Sequence, residues 1–374
     1  MNRLKILYVN YMLQPGHINF DQIQVSALLS EGHDVQLVMH RDIARKLQFA
    51  SDRYALILPR WFASDTKSPL QNRFFFLLTL LYIKLKIDFR QYDQVIVSNT
   101  DEITLGLIPL CRHMGLICHA NAGNFWSKVK SHFLHRLARH NFFIVFNSRM
   151  QKPFLEHGIT DVFILSHGCP PPFRPTPGIK LPTDCSGYDM VIFHPSMNPD
   201  PRFINELITD RPLLQLLEEK NILLITHHAT ALPPSRHIFN ITQYLPKEQY
   251  QQLFVRADII LTAYPESFSY QVSGVSYECV ANGKKMLIRQ NPSLAYCKDF
   301  FNYDPFFSNV QDLCQKILFL YAHAEAKCTQ TGPDLVPDYS EILQHETGKR
   351  GPACRQETHP HVPDRQTGSS HTTK

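Results

Sequence analysis

The stretch LTAYPESFSYQVSGVSYECVANGKKMLI, residues 261–288, decides the expected fold of the second half of the chain. Its apolar start predicts the end of a strand, a proline-containing loop follows, and a helix is predicted to begin at Ser273 and Gly274 and to end at Asn282. The start of a helix presents unpaired backbone N–H groups and the positive end of its dipole, which favours an anion such as phosphate. Glu278 lies one turn further along the same face, placed to accept hydrogen bonds from sugar hydroxyls. The stretch is therefore typical either of a nucleotide-diphosphate site or of an ordinary α/β unit.

The composition narrows the class of protein. A chain of 374 residues exceeds the length of about 250 to 300 residues at which single cores stop growing, so two domains are expected. With 44% hydrophobic residues, 19% charged residues and a net charge of +5, it is typical of a globular protein and does not favour nucleic acid as a partner. The nine cysteines and the histidines show no zinc spacing, and no Asp-x-Asp motif is present. We expect reduced thiols, a cytoplasmic location, no metal site and no cofactor.

The first part of the chain predicts a βαβ unit, and hence a parallel sheet. No GxGxxG follows the first strand, which argues against a dinucleotide-binding dehydrogenase. Because ligands bind outside the carboxyl ends of such strands, Gly16 and His17 are expected at the edge of a cleft. His119 lies at the carboxyl end of another predicted strand, 116–121, and Asn121 and Asn124 lie at its end and just beyond it. All three are expected at the cleft too, although a buried, hydrogen-bonded histidine is the alternative for His119.

Strand and helix patterns alternate along the rest of the chain, including a strand at 239–245 and one helix at 203–220. They are interrupted by CPPPFRPTPGIKLPTDCSGY, which is too rich in Pro and Gly for a long helix or a central strand. We expect a fold of class α/β, divided into a first domain at 1–170, a hinge at 171–188, a second domain at 189–335 and a polar, disordered tail at 346–374.

A segment that lies at a membrane interface is one interpretation of residues 73–89. The apolar run FFFLLTLLYI is far short of the roughly 20 residues that span a bilayer. From Arg73 to Lys86, however, the cations Arg73, Lys84 and Lys86 flank it, a pattern typical of peripheral membrane contact. A helix packed inside the first domain is the alternative.

Two stretches resemble the retaining GT-B glycosyltransferases of glycosyltransferase family 4. FNSRMQKPFLEHGI followed by VFILSHGCPPPF is similar to the end of that family's N-terminal domain. ITQYLPKEQYQQLFVRADIILTAYPESFSYQVSGVSYECVANGKKMLI is similar to its nucleotide-binding segment. The resemblance covers most of residues 4–330 and implies two Rossmann-like domains facing a cleft, with the acceptor domain first and the nucleotide-sugar donor domain second.

The resemblance also implies roles for single residues. Glu278 resembles the glutamate that binds the nucleotide ribose, and His119 resembles a histidine near the transferred sugar. The other implied donor-binding residues are Gly16, which lets the backbone approach the phosphate, the backbone at Ser273, Gly274 and Val275 as the diphosphate cradle, and Gln243, Tyr244 and Leu245 beside the base. His17, Asn121 and Asn124 are left as candidates on the acceptor side.

Two departures from the family pattern leave the activity open. Members commonly have a second glutamate eight positions before the ribose-binding one, where this chain has Tyr270; the nearest acid is Glu266. Members also often have an Arg and a Lys early in the C-terminal domain, where this chain offers only Arg202. One alternative is that Arg202, Lys284 or Lys285 supplies the positive charge that neutralises the diphosphate, although Lys284 and Lys285 are also typical of a solvated turn. The other alternative is that the protein has lost activity.

The resemblance therefore implies a metal-independent glycosyltransferase, with a nucleotide sugar as co-substrate and a glycan or lipid-linked glycan as acceptor, at the inner face of a membrane. The alternatives are a non-catalytic protein of the same fold, which binds a nucleotide or glycan or assists an active enzyme, and a sugar-nucleotide epimerase.

Overall fold

The fold consists of two parallel sheets with helices on their faces. The computed structural model describes residues 3–13, 17–62, 68–196, 200–228 and 235–350, with side chains up to 345. The strands are β1 Lys5–Val9, β2 Asp34–His40, β3 Tyr54–Leu58, β4 Gln94–Val97, β5 Met114–Ile117, β6 Phe142–Val145, β7 Val162–Ile164, β8 Met190–His194, β9 Ile222–His227, β10 Ile238–Ile241, β11 Ile259–Thr262, β12 Lys285–Arg289 and β13 Phe306–Phe307. The helices are α1 Ile18–Ser30, α2 Arg41–Ala44, α3 Pro69–Lys86, α4 Glu102–Leu107, α5 Lys128–Ala138, α6 Ser148–Glu156, α7 Pro201–Thr209, α8 Arg211–Glu219, α9 Lys247–Arg256, α10 Gly274–Ala281, α11 Val310–Ala322 and α12 Ser340–Arg350.

The first sheet has seven strands in the order β3-β2-β1-β4-β5-β6-β7, and the second has six in the order β10-β9-β8-β11-β12-β13. Every strand pair in both sheets is parallel. The central strands are continuous apolar runs because helices cover both faces, so successive side chains are buried whichever way they point. The predicted α/β class is confirmed.

The order of the strands reverses beside β1 in the first sheet and beside β8 in the second. At such a switch point, the loops after neighbouring strands diverge to opposite faces of the sheet and leave a crevice. The loops that leave β1 and β4 in the first sheet, and β8 and β11 in the second, therefore lie where a ligand is expected, and the loop that leaves β5 is next to the one after β4 at the same edge.

Several elements are shorter than the apolar pattern predicted. The helix expected at 203–220 is two helices. Asp210 ends α7 and also caps α8, because its carboxylate accepts a hydrogen bond from the Leu213 backbone N–H, and Pro212 lies two residues further on. The strand expected at 116–121 ends at Ile117 and the one expected at 239–245 ends at Ile241, since the polar residues beyond them turn into loops.

The chain returns to the first domain after it completes the second. Tyr339, Ile342 and Leu343 are buried in the core of the first domain, and the Tyr339 hydroxyl donates a hydrogen bond of 2.8 Å to Gln24 Oε1. The Ser166 hydroxyl donates to the Leu335 carbonyl. The segment that leaves the first domain after β7 and the segment that returns to it therefore lie side by side. Sequence patterns did not predict this return.

Residues 171–188 contain no helix or strand, in agreement with their Pro and Gly content. Phe173 and Cys185 are buried in the core of the second domain, so much of this segment lies against that domain. At the other end of the chain, α12 extends to Arg350, into the segment predicted as a disordered tail, and residues 351–374 lie outside the described part. None of the helices described here has the length and hydrophobicity needed to cross a bilayer.

Candidate functional site

A cavity lies between the two domains, at the carboxyl ends of their strands. Its walls come from the start of α1, the loops after β5 and β7, and the loop and helix after β11. The residues that line it are His17, Asn19, Phe20, Ile23, His119, His167, Pro170, Gln271, Val272, Gly274, Tyr277 and Glu278. Four residues predicted for the site, His17, His119, Gly274 and Glu278, thus meet in one place.

The start of α10 forms the wall from the second domain. Ser273 is the residue before the helix, but its hydroxyl makes no cap and instead shares a 2.7 Å hydrogen bond with the Tyr264 hydroxyl. The Ser273 backbone N–H donates to the Tyr296 hydroxyl at 2.9 Å. The backbone N–H groups of Gly274 and Val275 have no partner among the residues that the structure describes. With no side-chain cap occupying it, the helix start is free to receive an anion.

Glu278 faces the cavity one turn beyond Gly274. The Tyr250 hydroxyl donates a 2.5 Å hydrogen bond to Glu278 Oε2, which orients the carboxyl group. Burial raises the pKa of Glu278 to about 7, and the hydrogen bond from Tyr250 opposes that shift. Near neutral pH, this group can therefore both accept hydrogen bonds from hydroxyls and exchange a proton.

Three histidines and Phe20 form the wall from the first domain. The ring centroids of His17 and His119 lie 4.3 Å apart, and Phe20 lies 4.6 Å from His119 and 5.0 Å from His167. The His119 Nε2–H donates to the Ser98 carbonyl at 3.1 Å, and His167 stacks on Tyr277 of the opposite wall at 4.6 Å.

These histidines are uncharged at neutral pH. Burial lowers the pKa of His17 and of His167 to about 4, and burial followed by the neighbouring His17 and His167 holds the pKa of His119 well below the ordinary value. His17 Nδ1 is buried without a hydrogen-bond partner in the described part of the chain. The wall therefore presents aromatic surface and neutral hydrogen-bonding groups, which suit a sugar ring better than a bare anion.

His167 was missed by sequence reasoning. It lies three residues after the end of β7, much as His119 lies two residues after the end of β5. The rule that ligands bind at the carboxyl ends of parallel strands, which selected His17 and His119, also applies to it.

Asn121 and Asn124 do not line the cavity. Their side-chain amides donate to Glu102 Oε2 at 2.7 and 3.0 Å, and Lys130 donates to Asn124 Oδ1 at 2.9 Å. Both amides thus hydrogen-bond to the buried carboxylate of Glu102 at the start of α4, which indicates a structural role.

The predicted cations also lie elsewhere. Arg202 is exposed near the start of α7. Lys284 donates to the carbonyls of Val255 and Ala257, and Lys285 donates to carbonyls at the end of α11. No described residue that lines the cavity is Lys or Arg.

Three further predicted residues, Gln243, Tyr244 and Leu245, follow β10 but do not line the cavity; Leu245 is buried and the Gln243 carbonyl accepts from the His227 ring. Gly16 lies outside the described residues.

Tyr270, at the position where the resemblance places a glutamate, turns towards the first domain. Its φ of 54° lies in the left-handed region, which is costly for a side chain of this size. The Arg149 guanidinium of α6 lies 5.1 Å from its ring centroid. Glu266, the nearest other acid, is exposed, so Glu278 is the only carboxylate among the described lining residues.

Comparison with known proteins shows what this architecture is. The sequence matches no protein-family model and none of the curated proteins. Solved structures with a similar fold include a UDP-N-acetylglucosamine 2-epimerase, at 12% identity and a TM-score of 0.57 over 98% of this chain and 100% of that one. An α,α-trehalose-phosphate synthase (UDP-forming) from Burkholderia vietnamiensis is 8% identical, with a TM-score of 0.54 over 92% and 95% of the two chains. The glycotransferase of kitacinnamycin is 12% identical, with a TM-score of 0.50 over 95% and 97%.

At such low identity these similarities establish the fold alone. The chain has the GT-B fold, two Rossmann-like domains on either side of a cleft, as its sequence predicted. Membership of glycosyltransferase family 4 stays a prediction.

Proposed function

We propose that this protein is a glycosyltransferase that moves a sugar, with retention, from a nucleotide-sugar donor to a glycan or lipid-linked glycan. The proposal rests on two features that lie together on one wall of the interdomain cavity. The backbone N–H groups of Gly274 and Val275 have no partner among the described residues, and Glu278 follows one turn further along the helix. A nucleoside diphosphate carries both an anionic diphosphate, which suits the helix start, and ribose hydroxyls, which suit a carboxylate acceptor. The nucleotide-related names of two solved structures with this fold support the choice.

In the proposed mechanism, the diphosphate lies at the start of α10 and the ribose hydroxyls donate to Glu278. The bond between the anomeric carbon and the phosphate oxygen breaks, and its electron pair stays on the diphosphate. The helix dipole and the N–H groups of Gly274 and Val275 stabilise that growing charge. The acceptor hydroxyl attacks from the same face and transfers its proton to the departing phosphate oxygen, so no enzymic nucleophile is needed.

The first domain holds the sugar in this scheme. His119, fixed by its bond to the Ser98 carbonyl, faces the cavity beside His17, and both neutral rings hydrogen-bond and pack against the sugar. Closure of the two walls would exclude water and limit hydrolysis of the donor. Among the described residues, no group of three His, Cys, Asp or Glu side chains is placed to hold a metal ion, and metal independence remains part of the proposal.

The direct test is the replacement of Glu278 by Gln, followed by titration with uridine diphosphate and with other nucleoside diphosphates. Loss of a charged hydrogen-bond acceptor should weaken nucleotide binding about ten-fold or more. The matched control is Glu266→Gln, which changes an exposed carboxylate outside the cavity and should bind as the original protein does. Equal affinity in all three proteins would remove the site assignment.

A non-catalytic protein that binds a nucleotide or a glycan, or assists an active enzyme, is the second candidate. The absence of Lys and Arg from the described lining and the packing of Tyr270 against Arg149, at the position where the resemblance places a glutamate, favour it. Incubation with a panel of nucleotide sugars and a glycolipid extract separates the two: release of nucleotide supports transfer, whereas tight binding without release supports the second candidate.

The proposal includes a cytoplasmic location and membrane contact through the segment from Arg73 to Lys86. Fractionation of cells into cytosol, membranes and a high-salt wash tests the location. Recovery only in a secreted fraction would contradict it.

A further inference from the structure

Helix α3 has apolar side chains on two opposite faces, and only one of them is covered. Leu80 and Ile83 are buried in the core of the first domain. On the other side, Leu70 and Leu85 are 78% and 84% exposed, and Phe74 and Leu81 between them are also exposed. Spacings of four, seven and four residues place these side chains in one stripe along the helix. A surface helix usually has polar residues in such a stripe, so these positions indicate contact with an apolar partner.

Helix α5 lies on the same side of the sheet and has a basic outer face. The crossovers from β3 to β4, β4 to β5 and β5 to β6 all run in one direction across the sheet, and right-handed crossovers put α3, α4 and α5 on one side. α4 contacts both of its neighbours. The exposed charged and titratable side chains of α5 and of the two residues after it are Lys128, His132, His135, Arg136, Arg139 and His140. α3 and α5 contain no Asp or Glu.

The acidic groups that border α3 and α5 have basic partners within the domain. The exposed Asp88 and Glu156 pair with Arg90 at 2.9 Å and with Lys152 at 3.6 Å. Asp101 pairs with Arg73 at 3.2 Å. Glu102 is buried and lies 3.6 Å from Lys130, the one cation of α5 that turns inward. The exposed charges of α5 therefore remain uncompensated, beside Trp126, which is 81% exposed just before that helix.

We propose that this face docks on a membrane surface that contains anionic lipid, with α3 and Trp126 inserted among the headgroups and α5 held by the lipid charge. We define it as the α3–α5 face: Leu70, Phe74, Leu81, Leu85, Trp126, Lys128, Arg136 and Arg139. Apolar side chains alone would suit many partners, but a neighbouring helix whose exposed charged side chains are all basic is complementary to anionic headgroups. The inference extends the membrane contact of the proposed function to a second helix and a lipid class, and does not depend on catalysis.

Vesicle flotation tests the docking. The original protein should float with vesicles of phosphatidylcholine mixed with phosphatidylglycerol and remain behind with phosphatidylcholine alone. The double variant Phe74→Ser, Leu85→Ser and the double variant Lys128→Glu, Arg136→Glu should each reduce the bound fraction about ten-fold. Because all four side chains are exposed, unfolding temperatures should stay near that of the original protein.

The matched control is Leu318→Ser, Phe319→Ser, two exposed apolar residues of α11 in the second domain, which should float as the original protein does. Failure of the original protein to bind either vesicle would overturn the inference and point to a protein partner. Equal binding to neutral and anionic vesicles, or binding that survives both double variants, would overturn it as well. Titration of all variants with uridine diphosphate keeps this result separate from the proposed function, because no substituted residue lines the cavity.

Discussion

The two walls of the cleft use different chemistry. The wall from the second domain offers a helix start and Glu278, both suited to a polar, charged ligand. The wall from the first domain offers three uncharged histidines and Phe20 in mutual ring contact. This difference indicates a division of labour, in which one wall binds the nucleotide diphosphate and the other holds the sugar.

The largest expected effect comes from a charge placed at the start of α10. Gly274→Glu should weaken binding of nucleoside diphosphates at least about 100-fold, because a carboxylate then occupies and repels the position of the phosphate. Calorimetric titration measures the loss. A negative charge in the first turn interacts favourably with the helix dipole, so the stability of the fold should not fall.

Gly274→Ala is the control for that change. A Cβ at this position meets no atom within 4 Å, so nucleotide affinity should stay close to that of the original protein. If Gly274→Glu binds as well as Gly274→Ala does, the diphosphate does not lie at this helix.

Next to the first-domain wall, the segment that leaves the first domain, at Ser166 and Gly168, packs against the segment that returns to it, at Leu335 and Pro337. Gly168→Ala should disturb this packing. Gly168 has a φ of 84°, and a Cβ there would lie 2.3 Å from Ile23 Cγ2 and 3.1 Å from Pro337 Cγ. We expect a loss of about 2 to 3 kcal/mol in the free energy of unfolding, measured by urea denaturation.

Gly178→Ala serves for comparison, since Gly178 has a φ of 81° but nothing within 4 Å of the added Cβ. It should cost about 1 kcal/mol from the backbone conformation alone. Equal losses at the two glycines would mean that close packing between the two segments contributes little.

A third variant asks whether the first-domain wall acts on the sugar. His119→Asn should lower the rate of sugar transfer about ten-fold, by loss of a hydrogen bond, while the affinity for the free nucleotide changes little. The rate of nucleotide release from the donor and a nucleotide titration give the two values. His157→Asn, at an exposed position outside the cavity, should change neither. An equal fall in nucleotide affinity would contradict the division between the walls.

The smallest expected effect is on how stability changes with pH. Glu278, on the second-domain wall, should lower stability as the pH rises, whereas His167, on the first-domain wall, should lower it as the pH falls. The pKa of Glu278 is raised to about 7, so its contribution to stability is present at low pH and is lost as the pH rises through that value. Glu278→Gln should therefore become more stable than the original protein by about 1 kcal/mol as the pH is raised from about 5 to about 8.

The pKa of His167 is lowered to about 4, so the neutral ring contributes stability at high pH and this is lost as the pH falls below the ordinary histidine value. His167→Asn should reduce the loss of stability on acidification. Thermal unfolding across the pH range measures both slopes, and parallel curves for the two variants would contradict these signs.

Local patterns predicted the elements of the site well. The helix that starts at Gly274, the position of Glu278 one turn later, and the histidines after β1 and β5 follow from neighbouring residues and from the rule about strand ends. The same rules could not show that Ser273 bonds to Tyr264 in place of capping its helix, or that Asn121 serves Glu102. Those partners lie on other elements, and only the fold decides which side chain reaches them.

The sequence by itself determined the two α/β domains, the helix start with its carboxylate, and the apolar run of α3, because hydrophobic period and capping act over a few residues. Tertiary structure decided which candidates meet. It brought His167 beside His17 and His119, turned Tyr270 onto Arg149, kept the predicted cations out of the described lining of the cavity, and left one face of α3 uncovered beside the basic face of α5. These arrangements depend on how sheets, crossovers and the returning segment at 339–343 pack together, and packing over such distances is not encoded in any single stretch of the chain.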